Sequence, residues 1–546
     1  MRNLASARSK TLRLLPLLLI VVITSVLPLT PVHANPLWSS PILIDSNNGR
    51  NQLSTSLQAT NGTLWIAWES TRNAIFTGRV DILYKTYTNG VWSISRNMTT
   101  SGQNGSPWLI QLSDGTIGMF WSLKPAHSYE VFYSLYAANG WSTPAQITST
   151  TLNDTQPSAA VARDGTVWLV WTRIDTTNPS IPAVKQLYYK TWKNNVWSSD
   201  TKLTTDSNQN YGSAVLIGKD NIVRVAWTKG TASTSYQIYQ KTYNGTRWST
   251  ENQIISSSST DEHPSMIQDR NGTLWLFWSR LIVVSQTVQY YVVLTKTSYN
   301  MGATWSSETQ MTNTSQSVDS YMPSAVQSSY GTKPLWLFYS SNLNEPTYDI
   351  YALMSSGIGP IHDVDLTGIY ASSSLGTSWA YQGGLRSVGQ TAIVTITVTV
   401  TDPGDYSQTV SITVNVSNTT SISLGARTGF VGPGSSVNVY FYWNTSGVKP
   451  ARYSITASVA PVTGESYGNS FDNSLSFTNQ MHILPLGDIN QDGDVTITDV
   501  SVFFGGFNYS SSCNCSHWNP YADINNNGII DIVDVSIVAT NFNTYA

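Results

Sequence analysis

The sequence predicts a mainly β protein: a six-bladed β-propeller, then a β-sandwich, then a small α-helical module. Three observations carry this reading. A unit of about fifty residues recurs through residues 35–357. Strongly alternating β-branched segments replace it between Pro360 and Leu484. After Gly487 an acidic pattern occurs twice, each time ahead of a short amphipathic run.

The N-terminus comes first in the chain of 546 residues. Arg2, Arg8, Lys10 and Arg13 precede an apolar stretch from Leu14 to Leu29, and "PVHAN" then places a small-residue cleavage site after Ala34. Residues 1–34 thus read as an export signal, with an uncleaved anchor as the alternative because the apolar run approaches bilayer-spanning length. No later stretch is long and apolar enough to span a membrane, so no transmembrane segment is expected after cleavage. Asn-x-Ser/Thr triplets at Asn61, Asn244, Asn271, Asn415 and Asn444 agree with a secreted, extracellular or cell-surface location. The net charge of −3, with 11% charged residues, argues against a nucleic-acid partner, which calls for a basic stripe. Cys513 and Cys515 are the only cysteines, so no disulfide framework holds the fold. Their spacing is too short for a relaxed bridge, leaving a strained disulfide, half of a metal site or two thiols.

The propeller follows from the repeat itself. "NGTLWIAWES" at Asn61, "DGTVWLVWTR" at Asp164 and "NGTLWLFWSR" at Asn271 are one unit, and Trp-Ser recurs at Trp92, Trp141, Trp197, Trp248 and Trp305. Each copy holds an alternating strand A, an Asn-Gly or Asp-Gly turn, strand B, a variable loop, strand C, a second turn and a short strand D. Four antiparallel strands per repeat describe a blade. The sixth copy ends at "YDIYALMSS" without its Trp-Ser strand, while "NPLWSS" around Trp38 stands alone at the other end. An N-terminal strand completing the last blade would close the ring and remove its free edges.

The turns are short and repetitive, whereas the D–A and B–C loops vary, so the face carrying the latter is the functional candidate. Aligned starts of strand A place Asn51, Asn104, Asp154, Asn210, Asp261 and Ser320 near the axis, followed by Gln52, Gly105, Thr155, Tyr211, Glu262 and Tyr321. Arg50 and His263 adjoin this ring, and Glu69, Arg173, Lys229 and Arg280 reach the same face from the ends of strand B. A mouth of Asn, Asp, Glu, Tyr and Arg suits a glycan, whose hydroxyls need directional partners; the alternative is that these residues cap strands. Asp154, Asp261 and Glu262, with Tyr211 and Tyr321, are the catalytic candidates, as a carboxylate pair for glycoside cleavage. Arg50, Arg173, Arg280 and His263 are the substrate-binding candidates.

"SYNMGATWS", Ser298 to Ser306, resembles the Asp-box of sialidase-like propellers, with Asn300 where that family usually has Asp. The resemblance implies the propeller fold and places the box on the face away from any active site. Sialidases of that kind also carry an Arg-Ile-Pro triplet near the first blade, which is absent here.

The segment 360–484 holds about seven strands separated by turns such as Asp402-Pro-Gly and Gly432-Pro-Gly, as in an Ig-like sandwich. With "DNS" at Asp472 it is similar to CARDB-type adhesion modules, which implies a spacer role. In the tail, 487–546, Asp488, Asn490, Asp492, Asp494, Thr496 and Asp499 follow the ligand spacing of an EF-hand-type loop around Gly493, with Asp494 offering only its carbonyl. Asp523, Asn525, Asn527, Ile529, Asp531 and Asp534 repeat it around Gly528. Two loop–helix units resemble a type I dockerin, which implies two Ca²⁺ ions and a cohesin-like domain of a scaffold or surface protein as partner. The partner-reading positions would be Ile497, Thr498, Ile532 and Val533; a Ser/Thr pair is common there, and here it is mostly replaced by aliphatic residues.

Two functions are consistent with these features. One is a secreted, tethered carbohydrate-active protein whose propeller binds or hydrolyses glycans at O-glycosyl bonds. The other is a non-catalytic surface or adhesion protein that uses the propeller as a recognition platform.

Overall fold

The computed structural model describes residues 36–545 except 47–48, 72–78, 138–139, 176–182, 232–234, 313–317, 330, 344–346, 358, 374–377, 381–385, 390–392, 491, 514–518, 520–521 and 526. The export-signal segment 1–34 lies outside the described residues. Among them, no helix is long and apolar enough to cross a membrane.

Six antiparallel sheets follow one another along residues 42–354. In the third, Asn153–Val161 pairs with Val167–Asp175, which pairs with Val184–Lys193, and the short Val196–Trp197 closes the set. Strands A of neighbouring sheets touch around a closed circle, the first against the sixth. The closing sheet borrows Ile42–Asp45, which pairs with Asp349–Met354, while Trp38 bridges to Ser355. That union of chain ends covers the edge that strand C would otherwise expose.

Each interface between blades is an apolar wedge. Trp68, Trp121, Trp171, Trp227 and Trp278 on the five successive B strands are fully buried, and Tyr339 takes their place in the sixth. Truncating such a ring costs about 3–5 kcal/mol. The Trp of strand D leans edge-on against the neighbouring blade, as Trp141 does on Trp65 at 6.2 Å and Trp248 on Trp168 at 5.9 Å. This explains the Trp-Ser periodicity.

Residues 365–484 form two sheets around one core. Val394, Ile396, Val398 and Val400 are buried while the intervening threonines face outward, as alternation along Ile393–Thr401 requires. The sandwich rests on the A–B turns of blades four to six. Lys219 reaches Asp363 at 2.5 Å, and Arg270 and Lys333 reach Asp405 at 3.2 and 2.5 Å. Gly272 and Gly468 meet so closely that a Cβ on Gly468 would lie 2.2 Å from the Gly272 carbonyl oxygen. Burial pushes the Asp363 carboxyl up to about 7 despite Lys219. The module expected as a spacer is thus clamped to the propeller face opposite the variable loops.

The tail places helices at Ile497–Gly506 and Ile532–Thr540, each starting directly after an acidic loop. Ile489, Val495, Phe503, Ala522, Ile524, Ile530 and Val538 form its small core.

Candidate active site

A backbone device repeated six times builds the mouth. In every blade the A–B ladder shifts register at the same place, so two residues of strand A oppose the single buried aromatic of strand B. The first of the two takes positive φ: Leu53, Ser106, Gln156, Gly212, His263 and Met322, between 52° and 61°. Proline follows in four blades, where an absent N–H leaves nothing unpaired at the bulge. Each left-handed non-glycine residue costs on the order of 1–3 kcal/mol, and bulges re-aim the neighbouring side chain. The residue just before the bulge is Gln52, Gly105, Thr155, Tyr211, Glu262 or Tyr321.

In five of the six blades the N–H of the bulge residue is held by the blade before it. Ser122 Oγ accepts from Gln156 N at 3.1 Å, Thr172 Oγ1 from Gly212 N at 3.3 Å, Thr228 Oγ1 from His263 N at 3.1 Å, and Ser279 Oγ from Met322 N at 2.8 Å. In the first blade the equivalent residue is Glu69, whose Oε2 accepts from Ser106 N at 3.0 Å. A carboxylate thus stands where other blades keep a hydroxyl. Gly105 makes room for it, since a Cβ there would lie 2.8 Å from Glu69 Oε2.

Around Glu69 and Glu262 the structure gathers a polar, aromatic cluster. Gln52 Nε2 donates to Glu69 Oε1 at 2.6 Å, Tyr321 Oη donates to Gln52 Oε1 at 3.0 Å, and Arg50 Nη2 donates to Tyr321 Oη at 2.7 Å. Glu262 receives both the Tyr211 hydroxyl and the Tyr291 hydroxyl, the latter at 2.9 Å. The Tyr291 and Tyr321 rings, 5.8 Å apart, join the two halves. Lys185 Nζ sits 4.2 Å from the Tyr211 ring centroid, and Arg50 lies 4.8 Å from that of Tyr348. Burial raises the Glu69 carboxyl above its ordinary range. Burial and the Glu262 charge raise the phenols of Tyr211 and Tyr291, while burial lowers Lys185 and His263. His263 Nδ1 is buried without a hydrogen-bond partner among the described residues.

Glu262, Tyr211, Tyr321, Arg50 and His263 therefore converge as the sequence suggests. Asp154, Asp261, Arg173 and Arg280 do not. Arg173 forks onto Asp154 at 2.7 and 2.8 Å and also binds Asp200; Arg280 binds Asp261 at 2.7 Å and Glu308 at 2.5 Å. Lys229 pairs with Asp206 and Glu251 from the same place in blade four. Asp261 additionally accepts from Trp278 Nε1 at 2.7 Å, as Asn51, Asn104 and Asn210 accept from Trp68, Trp121 and Trp227. Four of the six residues in the first aligned ring are thus struts for a buried tryptophan, while Asp154 braces Arg173 and Ser320 pairs with Ser341. Asp154 and Asp261 have both oxygens committed to these structural bonds, so the catalytic expectation for them is not carried forward, nor the binding role for Arg173 and Arg280.

Asp261→Ala is expected to cost about 1–3 kcal/mol of stability, because it strands the buried Trp278 indole N–H and leaves Arg280 with Glu308 alone. A urea midpoint that stays put would return Asp261 to the list of reactive groups.

Tyr291, Lys185 and Tyr348 were missed. They lie at or just before the starts of C strands, where their aromatic and aliphatic bulk reads as blade filling.

The tail loops share one hydrogen-bond plan. Asp499 Oδ1 accepts from Ile489 N at 2.7 Å and Asn490 N at 3.1 Å; Asp534 Oδ1 accepts from Ile524 N at 2.8 Å and Asn525 N at 3.1 Å. Asp488 takes Gly493 N at 2.9 Å, and Asp523 takes Gly528 N at 2.8 Å, with both glycines at positive φ. Thr496 and Asp531 cap the helices. Carboxylate oxygens of Asp488, Asp492 and Asp499 lie within 4.8 Å of one another, a spacing that fits one Ca²⁺. Cys513 is disulfide-bonded, and Cys515 lies outside the described residues.

No protein-family model matches the chain, and no curated protein does. Among solved structures, a Dyadobacter fermentans protein of unknown function is 13% identical over 58% of this chain and 97% of its own, with TM-score 0.47. An α-L-arabinanase of Penicillium chrysogenum, complexed with arabinobiose, is 12% identical over 59% and 99%, with TM-score 0.43. An ulvan lyase of polysaccharide lyase family PL25 is 12% identical over 57% and 80%, with TM-score 0.40.

Proposed function

We propose that the chain is a secreted glycan-active protein whose propeller mouth hydrolyses O-glycosyl bonds, held in place by a dockerin-like calcium module. The observation that carries the catalytic reading is Glu69, a buried carboxyl with a raised pKa in a position where the other blades use a hydroxyl. A carboxyl that burial makes hold its proton more tightly suits a general acid, while Glu262, receiving two phenolic hydroxyls, is arranged as the acceptor that acts as base or nucleophile. Tyr211, Tyr291, Tyr321 and Tyr348 supply flat apolar faces with hydroxyl edges, the chemistry sugar rings stack on. Sialidase chemistry fits less well, since Arg173 and Arg280 are spent on ion pairs and only Arg50 faces the cluster.

In the tail, Ile497, Ile532 and Val533 are at least half exposed, and Phe504, Val535 and Phe542 flank a groove between the helices. That apolar surface supports docking to a cohesin-like partner through aliphatic contacts in place of the Ser/Thr pair.

The deciding experiment incubates the mature chain with a panel of neutral and acidic plant, algal and bacterial polysaccharides, scoring retention and released reducing ends separately. Hydrolysis of at least one glycan is expected. Retention without product would leave the recognition-platform reading instead.

A further inference from the structure

We propose a third calcium site, at the seam between propeller and sandwich. Asp363 precedes the first sandwich strand, Glu465 lies in the loop after Ala451–Val459, and Asp472 ends the turn Ser470–Asp472. One carboxylate oxygen from each lies within 4.8 Å of the other two. Asp363 and Asp472 are 1% and 4% exposed, and each keeps a buried Oδ1 with no hydrogen-bond partner among the described residues. Asn473, whose Nδ2 donates to both Glu465 oxygens at 3.1 and 3.0 Å, likewise keeps an unpartnered buried Oδ1. Because the unpartnered buried atoms of this cluster are all oxygens, the group it is built to receive is a cation or a donor.

Charge points the same way. Lys219 of the propeller lies 2.5 Å from Asp363, 3.2 Å from Asp472 and 3.5 Å from Asp365. One ammonium faces four carboxylates once Glu465 is included, and buried charges without partners are costly. A divalent ion offsets most of the excess. The donors are all hard oxygens, carboxylate and amide, which excludes soft metals. Three carboxylates and an amide oxygen drawn from separate loops suit Ca²⁺, which accepts irregular sets of oxygen ligands, better than Mg²⁺, which demands a near-ideal octahedron. The ion would draw the start, the late loop and the turn of the sandwich together beside Lys219, and so lock it onto the propeller.

The test counts ions on the full mature chain after EDTA stripping and desalting, by calorimetric titration with CaCl₂ and by elemental analysis. Three Ca²⁺ per chain are expected, two in the tail and one at the seam. Asp363→Asn combined with Asp472→Asn should remove one, and Asp499→Ala combined with Asp534→Ala should leave one. The second result keeps the seam site separable from the tail reading. A count unchanged by the seam substitutions overturns the proposal. Lys219→Met guards against misfolding of the acidic variant: it removes a competing cation, so the seam ion should bind at least several-fold more tightly. A count of two ions in both the unsubstituted chain and Lys219→Met would show that lysine alone serves the cluster, and would also overturn it.

Discussion

Glu69→Gln is expected to lower glycan turnover by about 10²–10⁴-fold, the range general acid–base groups contribute, while the propeller melts as before. The amide keeps an oxygen for Ser106 N and a body of the same size over Gly105, so the bulge of blade two stays held, while its NH₂ replaces the oxygen that accepts from Gln52 and that side chain must turn. What it loses is the proton. The sign of the pH dependence follows from burial, which raises the Glu69 carboxyl. An acid is active while protonated, so activity falls as pH rises through this raised value, and the alkaline limb lies above the ordinary carboxylate range. The folded chain also binds this proton more tightly than the unfolded chain. Glu69 therefore contributes stability below the ordinary carboxyl pKa and loses it as pH climbs through the raised one. Rate–pH profiles and urea midpoints of both proteins check the two statements together. If Glu69→Gln keeps the rate and the same alkaline limb, Glu69 is only the strut its counterparts are. Glu262→Gln removes an acceptor from Tyr211 and Tyr291 and should abolish turnover without moving that limb.

Much of this architecture was legible because a repeat states each structural rule several times. Trp-Ser periodicity reports the edge-on tryptophans between blades, and the lone Trp38 segment reports how the ring closes. Function is harder to read for the same reason. The polar residues that align best, Asp154 and Asp261 among them, align because each braces its own blade, most through the buried tryptophan and Asp154 through Arg173. The chemically distinctive residue is the one that departs from its column. Glu69 was visible in the sequence at the end of strand B, but its meaning depends on Ser122, Thr172, Thr228 and Ser279 bonding across to the next blade. That relation belongs to neighbouring sheets and not to any one stretch of chain. Tyr291 and Lys185 come from C strands whose inward tips are indistinguishable from core until the bulge shows which way the mouth opens. The docking of the sandwich was hidden likewise, since Lys219, Arg270 and Lys333 sit in turns that read as solvated.

Calcium removal should produce the other large effect, confined to the tail. Residues 487–546 enclose only a small core between two short helices, and a unit of about sixty residues is marginal by itself. Each bound ion contributes about 4 kcal/mol when free Ca²⁺ exceeds its dissociation constant a thousandfold, so two ions match the whole stability of a small domain. Without them Asp488, Asp492 and Asp499 repel across less than 4.8 Å, and the backbone N–H bonds to Asp499 and Asp534 are too few to offset that. Hydrogen exchange on the full chain is the suitable measurement because it separates regions. In EDTA, peptides covering Ile489–Gly506 and Ile524–Thr540 should lose protection while Leu64–Ser70 and its counterparts keep theirs; Ca²⁺ should restore it and Mg²⁺ at the same concentration should not. Tail peptides equally protected with and without EDTA would remove the calcium assignment and, with it, the basis for a docked partner. Protection lost in the tail of an Asp499→Ala, Asp534→Ala variant at saturating Ca²⁺ would tie the effect to the twelfth position of each loop, which carries both the ligand and the helix's capping box.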